Sequence, residues 1–150
     1  MNRTIAMATL AAGTLDILYA MMLTVIFGRD IGNMLRFVGS GPYPGAVDMG
    51  AAGAVLGLLT HFILMLIMTT LFVIAARERP AILARPIVSG IVYGLITYVA
   101  MNWIVVPVRF DTPLPPRALS IATQLFAHIA LVGIPMALIA AKTMRPKPNA

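Results

Sequence analysis

Four long stretches of the chain are almost free of charged residues, and they limit where such a chain can fold. Residues 49–76, 86–108 and 118–141 contain no Asp, Glu, Lys or Arg, and residues 4–28 contain only Asp16. Each stretch reaches the roughly 20 residues that a helix needs to cross the hydrocarbon core of a bilayer. Helices of soluble proteins average about 11–12 residues, so these stretches predict membrane-spanning helices rather than a soluble core.

The composition supports this interpretation and excludes several classes of protein. Hydrophobic residues make up 60% of the chain and charged residues 11%, against about 25% charged in a typical soluble domain. The apolar stretches lack the period-2 alternation of a membrane β-barrel. The chain has no cysteine, which excludes disulfides and thiolate metal sites. Its basic residues lie in short connections and at the tails, which is typical of membrane topology signals and not of nucleic-acid binding.

The sequence therefore predicts an all-α membrane protein, with residues 1–150 forming one domain. Its four transmembrane helices are expected to pack as an antiparallel bundle. The predicted spans are 4–27, 49–76, 87–106 and 117–141, with Pro107 ending the third. The first span begins with a basic residue, as a cleaved signal peptide would, but it is too long and has no clear cleavage site.

The connection between the first two spans contains a second kind of helix. Ile31, Met34, Leu35 and Val38 recur at the spacing of one helical face. We therefore expect a short amphipathic helix at about 30–40 that lies in the membrane interface.

Lysine and arginine are distributed unevenly over the two ends of the predicted bundle. One end, which holds both termini, has Arg3, Arg77, Arg79, Arg85, Lys142, Arg145 and Lys147. The other end has Arg29, Arg36, Arg109 and Arg117. Because basic residues concentrate on the cytoplasmic side, both termini are predicted to be cytoplasmic.

Polar residues inside the spans define the candidate site. A carboxylate at a helix centre costs roughly 2.5–3.5 kcal/mol on insertion scales, so Asp16 is expected to face protein and to have a partner. At 1.5 Å per residue, Asp16, His61 and His128 all lie roughly 15–18 Å from the outer ends of their helices. They can therefore share a layer near the middle of the membrane, with Asn102 and Gln124 nearer the outer face.

The residues alone leave four interpretations of this layer open. The groups can simply satisfy one another and fix helix register, or they can form a proton or ion site. The third interpretation is a haem held by His61 and His128. The fourth is a metal bound by the two histidines and Asp16. The leading prediction is a non-enzymatic membrane-embedded binding, transport-related or assembly protein without cofactor, metal or catalytic residues. The alternative is a redox protein that binds haem or metal through the histidines.

Glycines at helical spacing predict close helix packing. They form one set at Gly50, Gly53 and Gly57 and a second at Gly90 and Gly94. Four helices are expected to enclose only a narrow core, with little room for a cavity within one copy. The first set is therefore predicted to contact a second copy in a homodimer, and the other predicted partner is the lipid bilayer.

Several short motifs resemble those of a known group. They are residues 13–17 (GTLDI), 57–62 (GLLTHF), 101–107 (MNWIVVP), and His128 ahead of 133–135 (GIP). The chain resembles small four-helix bacterial inner-membrane proteins of the YagU-like kind over nearly its whole length. The resemblance implies a bacterial cytoplasmic membrane and no established activity. It also implies that the polar positions of the group fall at Asp16, His61, Asn102 and His128.

Overall fold

The computed structural model describes residues 1–144, and within that range it contains helices and short connections but no β-strand. In chain order the helices are α1 (Asn2–Ile26), α2 (Ile31–Gly39), α3 (Gly50–Glu78), α4 (Ala81–Ala84), α5 (Pro86–Phe110) and α6 (Ala118–Met144). A 3₁₀ turn, Pro44–Asp48, precedes α3. Two residues of the predicted charge pattern, Arg145 and Lys147, lie outside the described residues.

Four of these helices, α1, α3, α5 and α6, are long and apolar enough to cross a membrane. They contain 25, 29, 25 and 27 residues, which corresponds to about 38–44 Å at 1.5 Å per residue and exceeds the roughly 30 Å hydrocarbon core. The predicted all-α fold with four membrane-spanning helices is confirmed. Large apolar side chains such as Leu18, Ile67 and Leu138 are exposed on the outside, where lipid would cover them.

The bundle is organised around α6. This helix packs against both α1 and α5, while α3 packs mainly against α1 and α2. The connections between α1 and α3 and between α5 and α6 lie at one end of the bundle, which we call the distal end. The beginning of α1 and the end of α6 lie at the opposite end, which we call the terminal end. Near the terminal end α3 and α5 meet at Tyr93, whose hydroxyl donates to the carbonyl oxygen of Met68 at 2.6 Å.

Glycines bring α5 and α6 together backbone to backbone. A Cβ atom placed on Gly94 would lie 2.7 Å from the Cα of Ile129 and would also contact the carbonyl of His128. One placed on Gly90 would lie 2.6 Å from the Cα of Ile134, and one on Gly133 would overlap the carbonyl oxygen of Gly90. No Cβ atom fits at these three positions, so the close crossing of α5 and α6 requires glycine there.

The short helix expected at about 30–40 is present as α2, and it packs against α3. Asp30 caps its first turn by accepting a hydrogen bond from the backbone N–H of Asn33 at 2.7 Å. A Cβ on Gly57 would overlap the carbonyl oxygen of Leu35, and one on Gly53 would overlap that of Ala46. The glycine face of α3 is therefore filled by α2 and the 3₁₀ turn of the same chain.

The glycine face of α3 was predicted to contact a second copy of the chain, and this packing removes the basis of that prediction. Gly53 and Gly57 are buried inside one chain, so they offer no free surface to a partner. Gly50 has a different role from the one predicted. It begins α3 at a φ of +55°, in the left-handed region that favours glycine, and a Cβ there would meet no atom within 4 Å.

Two membrane-spanning helices contain π-helical segments, and each is followed closely by a proline. The segments are Ala100–Val105 in α5 and Ala127–Gly133 in α6, and the prolines are Pro107 and Pro135. A wider turn relieves the clash between a proline ring and the carbonyl four residues earlier. The prediction that Pro107 ends the third span was therefore wrong, because α5 continues to Phe110.

At the distal end, α5 is tied to the chain that follows α2. The Arg109 guanidinium donates to the carbonyl oxygens of Ser40 and Gly41, each at 2.7 Å. Beside these bonds, the rings of Phe37 and Phe110 stack with their centroids 4.4 Å apart. The position of α2 over the bundle is therefore fixed from two sides, by α3 and by α5.

Candidate functional site

One cavity of about 200 Å³ lies among α1, α2, α3, α5 and α6. All five polar residues predicted from the sequence line it, namely Asp16, His61, Asn102, Gln124 and His128. One copy thus contains a small cavity, below the about 300–1,000 Å³ of ordinary small-molecule pockets, in line with the expectation of little room. The bundle has this space because α2 covers the gap that the four long helices leave between them.

Asp16 and His61 face each other across the cavity wall. The Nδ1 atom of His61 lies 3.9 Å from Oδ2 of Asp16, and the two side chains are 12% and 21% exposed. The other ring nitrogen of His61, Nε2, lies 2.9 Å from the carbonyl oxygen of Gly13. The glycine at this position allows the approach, because a Cβ there would lie 2.8 Å from the ring of Phe62.

These contacts assign a role to each ring nitrogen of His61. A carbonyl oxygen can only accept, so Nε2 of His61 must carry a hydrogen and donate it to Gly13. The other ring nitrogen, Nδ1, is then the atom that faces the Asp16 carboxylate, at 3.9 Å, a distance that a water molecule or a small ligand group can bridge.

His128 lines the same cavity from the π-helical segment of α6. Its Nδ1 donates to the carbonyl oxygen of Gln124 at 3.0 Å, which leaves Nε2 without a hydrogen-bond partner in residues 1–144. Its ring lies nearly perpendicular to that of Tyr98, with the centroids 6.0 Å apart. Tyr98 is buried, and its hydroxyl accepts a hydrogen bond from Nε1 of Trp103 at 3.2 Å.

The two amide side chains are only partly satisfied by the protein. The Asn102 amide donates to the carbonyl oxygen of Tyr98 at 3.3 Å. Its carbonyl oxygen, and the whole Gln124 amide, form no hydrogen bond with any residue from 1 to 144. Groups of this kind next to a cavity can bind a polar ligand or water.

Methionines form much of the remaining wall, which the sequence did not reveal. Met34, Met65, Met68 and Met101 line the cavity and come from three different helices. Their spacing along the chain gives no sign of this cluster, because the fold alone brings α2, α3 and α5 together. Methionine is flexible and polarisable, and such walls adapt to ligands of different shape.

A second, larger space opens at the distal end. This crevice has a volume of about 310 Å³ and lies between the end of α1 and the beginning of α6. Ala20, Met34 and Gln124 line both the crevice and the cavity. The two spaces therefore share part of their walls and adjoin each other. Arg29 and Arg117 line the crevice, and sequence reasoning assigned them only to topology.

The site does not favour the haem alternative. Axial ligation by two histidines needs a free nitrogen on each ring, and His61 uses Nε2 for Gly13 and turns Nδ1 toward Asp16. The cavity of about 200 Å³ is also smaller than the about 300–1,000 Å³ of ordinary small-molecule pockets, which leaves no room for a porphyrin. Within residues 1–144, no three His, Cys, Asp or Glu side chains are grouped as metal ligands.

The fold and the site together define a multi-pass membrane protein with a small cavity between its helices, lined by five polar side chains and several methionines. No protein-family model, curated protein or solved structure matches the chain.

A double-mutant cycle tests the pairing of Asp16 and His61. Each single change to Ala leaves the other group without its partner, so the double variant should lose less stability than the sum of the single variants. We expect a coupling of about 0.6–1.7 kcal/mol, the range of side-chain interactions within membranes. The measurement is reversible unfolding in mixed micelles. Thr60→Ala combined with Asp16→Ala is the control, because the Thr60 hydroxyl donates within its own helix. Equal additivity in both cycles would count against the pairing.

Proposed function

We propose that this protein is a non-enzymatic membrane-embedded binding protein that holds a small ligand in its mid-membrane cavity. The observation that carries the proposal is the convergence of Asp16, His61, Asn102, Gln124 and His128 on one cavity. A purely structural polar layer would satisfy its own hydrogen bonds. Here the Gln124 amide, the Asn102 carbonyl oxygen and one nitrogen of His128 lack partners in residues 1–144, although they adjoin open space.

The backbone around the cavity supports the same proposal. Met101 and Asn102 come from the π-helical segment of α5, and His128 comes from that of α6. Such segments occur frequently at functional sites, because they change the direction of side chains locally. The volume of the cavity suits a small polar molecule, or one group of a larger molecule, and the adjoining crevice is its route from the distal end.

We also propose that the protein resides in the bacterial inner membrane with both termini in the cytoplasm. The support is the excess of Lys and Arg at the terminal end and the resemblance to the YagU-like group. In this orientation the crevice faces the periplasm. The homodimer stays a prediction without an assigned surface, because α2 occupies the glycine face that suggested it.

Cysteine accessibility tests both the route and the orientation, since the chain has no cysteine of its own. Asn102→Cys places a thiol in the cavity wall. It should react with small impermeant thiosulfonates added outside intact cells, more slowly than Thr112→Cys in the distal connection. An anionic and a cationic reagent are both used, so that the result does not depend on the charge of the probe. Gln124→Trp, which fills the boundary between crevice and cavity, should slow the reaction at least tenfold.

The matched control is Ile104→Cys, which lies two residues away and faces lipid. An ionic reagent should not reach it, because a thiol surrounded by hydrocarbon stays protonated and unhydrated. Equal reactivity at Asn102→Cys and Ile104→Cys would overturn the proposed route. Labelling of Thr112→Cys only in inverted membranes would instead reverse the orientation and leave the cavity proposal standing.

A further inference from the structure

The four arginines at the distal end divide into two pairs. Arg36 donates to Asn33 and to the carbonyl of Gly50, and Arg109 donates to the backbone that follows α2. These two are used by the fold. The guanidinium groups of Arg29 and Arg117 form no hydrogen bond or ion pair with residues 1–144, and both line the crevice. The two unpaired distal arginines therefore converge on one space from different helices.

The other residues of the crevice favour an anion as well. No Asp or Glu lines it. The hydroxyls of Thr24 and Thr123 already donate to backbone carbonyls of their own helices, while the Ser120 hydroxyl and the Gln124 amide donate to no group among residues 1–144. The crevice thus offers two cations and unused donors without a competing carboxylate. Two guanidiniums with adjacent donors suit the oxygens of a phosphate.

The position of the crevice favours a phosphate group that belongs to a lipid. Its apolar lining includes Phe27 and Leu119, which are largely exposed on the outside of the bundle. Both lie where α1 ends and α6 begins, at the depth where lipid headgroups meet hydrocarbon. A phosphate that enters here while attached to acyl chains can leave those chains against the outer surface of the helices. A soluble anion would gain nothing from this apolar edge.

We propose that the crevice binds the headgroup of an anionic phospholipid, and that the bound headgroup closes the entrance to the cavity. Closure follows from the shared boundary, since Ala20, Met34 and Gln124 line both spaces. The proposed lipid binding depends only on the crevice and its two arginines. The closure part rests on the proposed function, because it requires that the cavity be entered through the crevice.

Lipid binding is tested in phosphatidylcholine nanodiscs that contain increasing phosphatidylglycerol, with native mass spectrometry to count retained lipid. Arg29→Gln with Arg117→Gln should weaken phosphatidylglycerol binding about 25-fold, at about fivefold per arginine. Arg29→Lys with Arg117→Lys should stay within a few-fold of the unchanged protein. The matched control, Arg79→Gln with Arg85→Gln, removes the same charge at the terminal end and should leave this binding unchanged.

Two results would overturn the binding part. One is an equal loss in the terminal-end control, which would mean that only overall charge matters. The other is inorganic phosphate displacing the lipid at equal concentration, which would make the crevice a site for a free anion.

Closure is measured on the Asn102→Cys background. Phosphatidylglycerol should slow thiol modification when Arg29 and Arg117 are present and should have no effect in the Gln pair. Lipid that binds without slowing the reaction would overturn closure. A thiol that fails to react even in pure phosphatidylcholine would contradict the proposed function and leave the lipid site intact.

Discussion

Gly94→Ala should strongly destabilise the packing of α5 against α6. The new Cβ would meet the carbonyl of His128 and the Cα of Ile129, which are backbone atoms that cannot rotate away. Overpacking of a tight interior costs about 1–3 kcal/mol when side chains can adjust, so a loss of about 3 kcal/mol or more is expected here. Reversible unfolding in mixed micelles measures it. Because α6 must move, the cavity wall should change as well. The rate at which Asn102→Cys reacts with thiol reagents should therefore differ in the Gly94→Ala background.

The control for this variant is Leu95→Ala at the next position. Leu95 is exposed on the outside of the bundle, and its truncation adds no atom to the α5–α6 crossing. The interpretation of the α5–α6 crossing would be wrong if Gly94→Ala and Leu95→Ala unfolded at the same denaturant concentration.

Gly57→Ala should release α2 while the four long helices stay assembled. The added methyl group overlaps the carbonyl oxygen of Leu35, so α2 must leave the face of α3. A cost of about 1–3 kcal/mol raises the population of the displaced state roughly 5- to 150-fold. Amide hydrogen exchange should accelerate by that factor in Ile31–Gly39 and stay unchanged in α6. Because Met34 and Val38 of α2 line the cavity, Asn102→Cys should also react faster.

The matched control is Ala52→Leu, which adds more volume to α3 at an exposed position and should leave α2 protected. If Gly57→Ala instead reduced the protection of every helix together, α2 would be an inseparable part of the bundle and not a cover over the cavity. The same experiment bears on the homodimer, since a surface freed in this way would become available to a second copy.

The membrane-spanning helices could be predicted closely because the bilayer imposes a simple rule on composition. Stretches of at least about 20 residues with at most one charged residue predicted all four, and Pro107 misled only because a π-helical turn accommodates it. The short helix α2 was also predictable, since an apolar face repeats at helical spacing. The sequence did not reveal that α2 packs against α3, because a glycine stripe is equally suited to a helix of the same chain or of another.

The site could be predicted only in part. Counting residues from the helix ends placed Asp16, His61 and His128 at one depth, because each α-helical residue advances by a fixed rise. Their surroundings depend on which helices are neighbours, and no local pattern encodes that. The methionine wall comes from three helices, and the Arg29–Arg117 pair joins the end of one helix to the start of another. Both features arise from the tertiary fold.

The π-helical segments have a consequence for how this chain tolerates changes in length. A π turn closes its hydrogen-bonded ring with one residue more than an α turn. Deleting one residue within Ala100–Val105 or Ala127–Gly133 can therefore restore an ordinary α-helical turn, with the rest of the helix keeping its orientation. The same deletion elsewhere in α5 or α6 would rotate everything beyond it by about 100° and turn lipid-facing side chains inward. Each cavity-lining π segment is thus equivalent to an α-helix that carries a single inserted residue.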